Sequence, residues 1–533
     1  MTPVTASSAA VSDPPVVDTD DRTSRWEGVA ATAALALVVG AMTAAMFASQ
    51  RVGHWWGDDW ALYVRQAQGL LDGSPRAVME QNSFTVEMSR GPAFSPPLYP
   101  WGFPIILAPF VAIVGPDVDR LAIVPILCAT VFACCWYALA RPRIGTLASL
   151  VGVVAVTITP LLLGWTELIQ SEWPFLAVVG VGLVLLDRSA HAGRLTDVAA
   201  PLTPLVWIGV LAAAAFTVRR EGLAMIAAIV AAQLAVLATR ATLELWRGPH
   251  RNALIVRILT PHTTALAVVA GLQVTLPSTL VPRYSGTTVR NVWKFRLRIV
   301  HNLAEVAGLK RTWQDDPVVL GSTSLGWVAV VTFLTLGVAG IVMTFAVYRR
   351  RDLHLVGYMA GALAIGGSFR SPINRYVCTI APLLLLFGLV AIAAAARLTP
   401  WRHTPTILVT IVVGLLATGN VIQARTRIEN VRVSAGSVEW GPTHPDAIEM
   451  FDEVRRLTRA GDVVAAPKAR AMTLETERPA VQVDDVRPIP ETVSIALVVT
   501  ERGSDLAGEL ANPGSGYSTV WENRRFLLFE PAG

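Results

Sequence analysis

Eleven stretches of this sequence are apolar over about the 17 to 25 residues that a helix needs to cross a bilayer. They lie at residues 28–49, 121–140, 146–164, 172–187, 203–218, 222–239, 259–277, 323–347, 354–370, 377–396 and 405–423. Inside a bilayer every backbone polar group must be satisfied within the chain, so such stretches can only be helices. The remaining composition agrees. Of the 533 residues 53% are hydrophobic and 16% charged, and the mean hydropathy of +0.50 is too high for a soluble multidomain enzyme. The expected fold is an all-α polytopic membrane protein of about 11 transmembrane helices. The net charge of +5 comes almost wholly from Arg, since Lys occurs only at Lys294, Lys310 and Lys468. No basic stripe is interleaved with aromatic residues, so nucleic acid is not an expected partner. Cys128, Cys134, Cys135 and Cys378 all sit inside apolar runs without ligand spacing and read as free membrane thiols.

Residues 1–27, rich in Ser, Thr, Pro and Asp, read as a disordered cytoplasmic tail. With the N-terminus inside, five loops fall on the cytoplasmic face, and each is basic, as the positive-inside rule asks: Arg141 and Arg143; Arg188 and Arg194; Arg240 to Arg257; Arg349 to Arg351; Arg397 and Arg402. The same alternation places Asp58, Asp59, Glu167, Glu172, Arg219 to Glu221, Arg370 to Tyr376 and the C-terminal hundred-odd residues on the other face. The expected location is a plasma membrane, crossed many times. Within the transmembrane region, 28–425, the outer loops 50–120 and 278–322 are long. In the first, Asp59 to Leu71 predicts a helix ended by Gly73, and Phe103 to Val114 is apolar but too short to span; both are expected to lie at the interface. In the second, Val292, Phe295, Ile299, Leu303 and Val306 recur at helical spacing.

From about residue 440 the composition becomes that of a small extracytoplasmic α/β domain, 440–533. Thr443 to Asp446 is a helix start, Ile448, Phe451, Val454 and Leu457 form one apolar face, and strands are expected at 462–466, 480–483, 493–500 and 526–529.

The residues with chemical potential sit at the ends of spans. Adjacent carboxylates Asp58 and Asp59 repel each other and are costly to bury without a compensating proton or cation. The pair suits a general base, a divalent-metal ligand, or both; the plain alternative is an acidic helix start. Glu172 begins a span, where a carboxylate is expensive, while Glu167 could be solvated in a short loop. His54 and His301 have no companion at ligand spacing. Trp55, Trp56, Trp60 and Trp101 fit an interfacial belt or a sugar-binding face.

Asp58-Asp59 with Tyr63, Arg65, Ala67, Leu70 and Gly73 is followed by Tyr99-Pro100-Trp101-Gly102-Phe103-Pro104, Gln170-Ser171-Glu172-Trp173-Pro174, Arg219-Arg220-Glu221-Gly222 and Asn374-Arg375-Tyr376 with Pro382. In order and topology this set, over roughly residues 28 to 400, resembles the GT-C class of polytopic glycosyltransferases. The similar branch includes protein O-mannosyltransferases, lipid A aminoarabinose transferases and actinobacterial arabinofuranosyltransferases.

The resemblance implies a hexosyl- or pentosyltransferase that moves a sugar, with inversion, from a polyprenyl-phosphate donor to a hydroxyl of an envelope glycan, lipid or protein. Such a leaving group departs as an anion without a general acid, so the site needs a carboxylate base and cations for the phosphate. On this basis Asp58 or Asp59 is the base and Glu172 a second acid. Arg219, Arg220, Arg290, Lys294, Arg298 and Arg375 are phosphate-binding candidates, and Tyr63, Trp101 and Tyr376 contact acceptor or sugar. A divalent ion, if used, would sit on Asp58, Asp59 and Glu172. The rival readings are a lipid-linked sugar flippase and a ligase or polymerase using polyprenyl-diphosphate glycans. Scarce Lys with abundant Ala and Arg suggests a bacterial source.

Overall fold

The computed structural model describes residues 21–89, 98–277, 292–309, 317, 322–346, 352–367, 374–398, 403–433, 437–438, 440–485 and 488–532. The first twenty residues of the expected tail lie outside this set, and a helix, Asp21–Ala48, already includes the rest of it. Among the described residues seven helices are long and apolar enough to cross a membrane: Glu27–Ala48, Val118–Ile144, Glu172–His191, Arg220–Leu237, Arg251–Thr275, Thr323–Ala346 and Thr404–Val433. The 146–164 run is two helices, Thr146–Thr157 and Pro160–Glu167, bent by 59°, where Pro160 lacks the N–H to continue the first. Four apolar helices are shorter, Gly102–Val114, Thr203–Val218, Leu353–Gly366 and Ile380–Ala396.

These helices are apolar nearly all round, so small residues rather than amphipathic stripes decide how they approach. A Cβ on Gly340 would lie 2.0 Å from the Phe387 carbonyl oxygen, and one on Gly209 would lie 2.4 Å from that of Pro261. Those contacts join Thr323–Ala346 to Ile380–Ala396 and Thr203–Val218 to Arg251–Thr275. Glu172–His191 packs on Ile123–Ile144 and is largely buried, with Trp173, Phe175, Leu176, Leu183 and Leu186 nearly inaccessible.

The expected Asp59–Leu71 and Val292–Val306 helices are present. The sequence reading did not include Pro75–Met88, which follows the first of them. Helix Pro445–Leu457 starts where expected, with the His444 side chain accepting from the Asp446 N–H. The strands are β1 (Val463–Ala466), β2 (Ala480–Gln482), β3 (Ile495–Glu501), β4 (Tyr517–Glu522) and β5 (Phe526–Pro531), in the order β2-β1-β3-β5-β4. β1 is parallel to both β2 and β3, and β5 is antiparallel to β3 and β4.

Strand alternation gives the sheet two covered faces. Val464, Ala466, Leu497, Val499 and Phe526 pack with Phe451 and Val454 of the Pro445–Leu457 helix, whereas Ala465, Val481, Val498 and Phe529 face Leu506 and Leu510. Phe84 and Met88, from the membrane-side helix Pro75–Met88, pack on the second face, and Ser89 Oγ accepts the Gln482 N–H at 2.8 Å. Trp56 enters from the first outer loop and lies 5.8 Å from Trp440 and 6.1 Å from Phe451 between ring centroids. The sheet is thereby seated on the segment that carries Asp58 and Asp59.

Candidate active site

The two aspartates occupy different surroundings although they are neighbours. Asp58 stands at the N-cap position of Asp59–Leu71 but makes no side-chain bond to the first turn, so it is not a helix cap. It takes a backbone hydrogen bond from Ala471, and burial pushes its carboxyl above the ordinary range against the pull of Arg470 and Lys468. Its Oδ1 is shut off from solvent without a partner. Asp59 keeps 28% of its side chain exposed. Oδ1 accepts the Tyr99 hydroxyl at 2.5 Å and Oδ2 accepts Arg375 Nη1 at 3.3 Å. Burial opposes its ionisation, but Arg375, Tyr99 and Arg470 outweigh that and hold the carboxyl below the ordinary range.

Arg375, in the short turn Asn374–Tyr376 before the Ile380–Ala396 helix, bridges to the start of Glu172–His191. Its Nε donates to Glu172 Oε1 at 2.5 Å, and Arg219 Nη1 donates to the same oxygen at 2.7 Å. Glu172 is 1% exposed and its Oε2 has no partner, the placement expected of a functional carboxylate at a span end.

Arg219 is held differently. It follows Thr203–Val218 at the close contact made by Gly222, whose Cβ would lie 2.1 Å from the Ala215 carbonyl carbon. Its Nη2 and Nε bind Glu221 Oε1 at 2.8 and 3.2 Å, and Nη1 also reaches Ser171 Oγ at 3.2 Å. The guanidinium lies between the rings of Phe175 and Tyr376, 5.8 and 5.7 Å from their centroids. With 7% of its side chain exposed, Arg219 fixes two carboxylates rather than presenting itself to a ligand. Arg220 is half-buried, its guanidinium over the Phe216 ring at 4.8 Å. Among the phosphate candidates with described side chains, Arg375, at 22% exposure, is the one that joins both Asp59 and Glu172.

Tyr63 is buried, its ring 4.8 Å from that of Tyr99 in a tilted contact and 4.8 Å from that of Phe103 edge-on, and it donates to Ser171 Oγ at 3.2 Å. Trp101 is buried too, its Nε1 donating to the Pro277 carbonyl at 2.7 Å, so it holds the fold together at that point. Arg290 lies outside the described residues. Lys294 and Arg298 belong to Val292–Val306, whose backbone packs on the Asn374–Tyr376 turn, but their side chains are outside the described set.

Sequence reasoning missed two participants. Tyr99 had been quoted only as part of a motif, and Arg470 came from the distant α/β domain. Arg470 Nη1 donates to Tyr99 Oη at 3.1 Å and Nε to Asn82 Oδ1 at 2.9 Å. Glu167 is not solvated: it is buried and bound by Arg51 and by Arg427, the latter at 2.6 Å. His54 is a buried, neutral structural residue. Its Nε2 accepts the Ile169 N–H, its Nδ1 donates to the Trp55 carbonyl, and burial lowers its pKa to about 4.

Among the described residues, Asp187, His191 and Asp352 offer ligand atoms within 4.8 Å of one another. They lie at the other end of Glu172–His191, and both carboxylates already accept from Arg143. At Asp59 and Glu172 it is Arg375 that stands between the carboxylates, where a divalent ion would be expected.

No family model matches the sequence, and no curated protein matches it. Solved structures do match. ArnT from Cupriavidus metallidurans in the apo state aligns with a TM-score of 0.54 at 12% identity, over 94% of this chain and 98% of that one. The same protein bound to undecaprenyl phosphate gives 0.54 at 13% identity, over 92% and 97%. The Archaeoglobus fulgidus oligosaccharyltransferase AglB, in complex with an inhibitory peptide and a dolichol-phosphate, aligns at 0.49 with 11% identity, over 88% of this chain and 69% of that one. The resemblance drawn from the motifs therefore holds at the level of the fold, which is that of ArnT, and the chemistry has to be argued from the side chains.

Proposed function

We propose that this protein is a membrane glycosyltransferase that passes a sugar from a polyprenyl-phosphate donor to an acceptor hydroxyl, with inversion, on the face of the membrane where its α/β domain lies. The observation that carries the reading is the Asp59–Arg375–Glu172 bridge: an ionised, partly exposed carboxylate held beside a guanidinium at the end of a buried span. The ArnT fold, with one structure bound to undecaprenyl phosphate, supports the donor class. In this reading the seven long helices, the bent pair and the shorter Thr203–Val218, Leu353–Gly366 and Ile380–Ala396 helices are taken as the spans of the expected topology. On that topology residues 440–533 lie outside a bacterial plasma membrane.

Asp59 is the base in this reading. Its carboxyl is held in the ionised form and stays partly exposed, whereas Asp58 is pushed toward its protonated form with one oxygen closed off. The acceptor oxygen attacks the anomeric carbon from the face opposite the phosphate. The C–O bond to phosphate breaks with its electron pair leaving on the phosphate, and Asp59 takes the hydroxyl proton. A carboxylate held this low takes that proton only as the new bond forms, which suits a leaving group that needs no acid. Arg375 balances the departing charge through a fork matched to phosphate, with Arg220, Arg290, Lys294 and Arg298 as further cations. Glu172, fixed by Arg219, positions Arg375. Because a guanidinium already joins the two carboxylates, the donor set does not fit a divalent ion between them, and no step is routed through one.

The test is release of polyprenyl phosphate from a panel of polyprenyl-phosphate sugars by the purified protein. Asp59→Asn is expected to lower turnover per folded molecule by roughly 10²- to 10⁴-fold. Equal turnover in the variant would remove Asp59 from the reaction, and no release with any donor would move the assignment to transport or a diphosphate-linked donor.

A further inference from the structure

In open α/β sheets ligands bind beyond the carboxyl ends of parallel strands, where the strand order reverses. In this sheet the order reverses at β1, which has β2 on one side and β3 on the other. That edge is covered: Trp56 of the first outer loop packs on the apolar cluster that holds Ala466, the last residue of β1, and Val499 of β3. The chain leaving β1 carries Lys468 and Arg470 to the two aspartates.

Arg470 is 2% exposed. Its Nε is fixed by Asn82 Oδ1 at 2.9 Å, and its guanidinium carbon lies 5.3 Å from the centroid of the Tyr99 ring. A guanidinium can only donate, so at the 3.1 Å contact Tyr99 Oη is the acceptor. The single hydroxyl proton of Tyr99 is thereby committed to Asp59 Oδ1, at 2.5 Å. The bonds run in one direction, Arg470 to Tyr99 to Asp59, and each polarises the next.

We propose that Arg470 is a positioning residue for the transfer: acting through Tyr99, it fixes the hydrogen bond on Asp59 Oδ1 and leaves Oδ2, beside Arg375, as the oxygen that meets the acceptor, so that the α/β domain is a working part of the site. The inference rests on Asp59 being the base. The groups facing Asp59 are Asp58 and Tyr63 of its own helix, Tyr99, Arg375 and Arg470. Of these Arg375 is shared with Glu172, so the Arg470–Tyr99 arm is the one that can be removed without disturbing the Glu172 bridge. Without that arm Asp59 binds its proton more tightly, and turnover should fail at a higher pH on the acid side while recovering above it.

The experiment measures turnover against pH for the full-length wild type, Arg470→Gln, Arg470→Lys, Tyr99→Phe and the Arg470→Gln/Tyr99→Phe double variant, with Asp59→Asn alongside. Arg470→Gln and Tyr99→Phe should each move the acid limb upward by about one pH unit, a roughly tenfold loss at a pH on that limb. Arg470→Lys should fall between wild type and Arg470→Gln, and the double variant should shift by less than the sum of the single shifts. Loss by the same factor at every pH, or a limb that does not move, overturns the proposal. If neither Arg470 variant folds, an unmoved limb in Tyr99→Phe overturns it equally. Wild-type turnover in Asp59→Asn would instead overturn the base assignment on which the proposal stands.

Discussion

The Glu172–His191 helix carries a carboxylate near each end, and the two ends use the same chemistry to different effect. At one end Asp187 accepts from Arg143 at 2.5 Å, Arg143 also reaches Asp352 at 2.7 Å, and His354 and His191 lie 3.0 and 3.3 Å from Asp187. Arg143, Asp187 and Asp352 are all nearly closed to solvent. At the other end Glu172 accepts from Arg219 and Arg375, but exposure rises outward from Glu172 through Arg375 to Asp59. Among the described residues, the Glu172 end leaves two carboxylate oxygens, Glu172 Oε2 and Asp58 Oδ1, buried without a partner, along with the indole nitrogens of Trp56 and Trp60. The same ion-pair vocabulary builds a closed brace at one end and an open site at the other.

The sharpest way to break this comparison is to remove the central arginine at each end. Arg375→Gln should lower polyprenyl phosphate release about a thousandfold, the scale of losing a preorganised charge-stabilising donor. Arg143→Gln should leave turnover per folded molecule near wild type. Equal losses in both, measured on monodisperse protein, would mean that the Glu172 end is a brace as well.

The reason one end could be found in the sequence and the other could not is physical. Charged residues stand out against apolar runs, so Asp58, Asp59, Glu172, Arg219 and Arg375 were legible, as was the Asp59–Leu71 helix with its Gly73 stop. Their division of labour was not. Arg219 and Arg220 are identical neighbours, and nothing in their sequence tells which of them binds Glu172. Trp101 carries the same side chain whether it faces a sugar or donates to Pro277. Arg470 and Tyr99 are 371 positions apart, a pairing that no local pattern encodes. The missed strand β4 has mostly exposed side chains, so it lacks the alternation by which its partners were found. Pro75–Met88 buries only Val78, Asn82 and Thr85 of its own length, too thin a stripe to signal a helix.

The second prediction concerns stability at the Asp187 end. Taking away one partner of a buried pair leaves a charge without compensation, which costs about 3–5 kcal/mol. Arg143→Met should therefore lower the thermal midpoint in detergent sharply. Pairing it with Asp187→Leu should recover part of that loss, because one of the two carboxylates left without Arg143 is then gone. A single variant as stable as wild type would show that the cluster braces nothing.

The smallest expected effect separates the two neighbouring aspartates. Burial holds the Asp58 carboxyl above its ordinary value of 3.8, so over the range between the unfolded and folded values the native state binds more protons than the unfolded chain. Stability then falls as pH rises through that window. Asp58→Asn, which cannot ionise, should be the more stable protein on the neutral side of the window and should show a flatter dependence of its thermal midpoint on pH. Asp59 works in the opposite sense: with its folded value depressed, the stability it contributes is present above the unfolded value and lost as pH falls through the folded one. Asp59→Asn should accordingly be less stable than wild type near neutrality. Midpoints that move the same way in both variants would contradict the division of the pair, and with it the choice of Asp59 over Asp58 as the base.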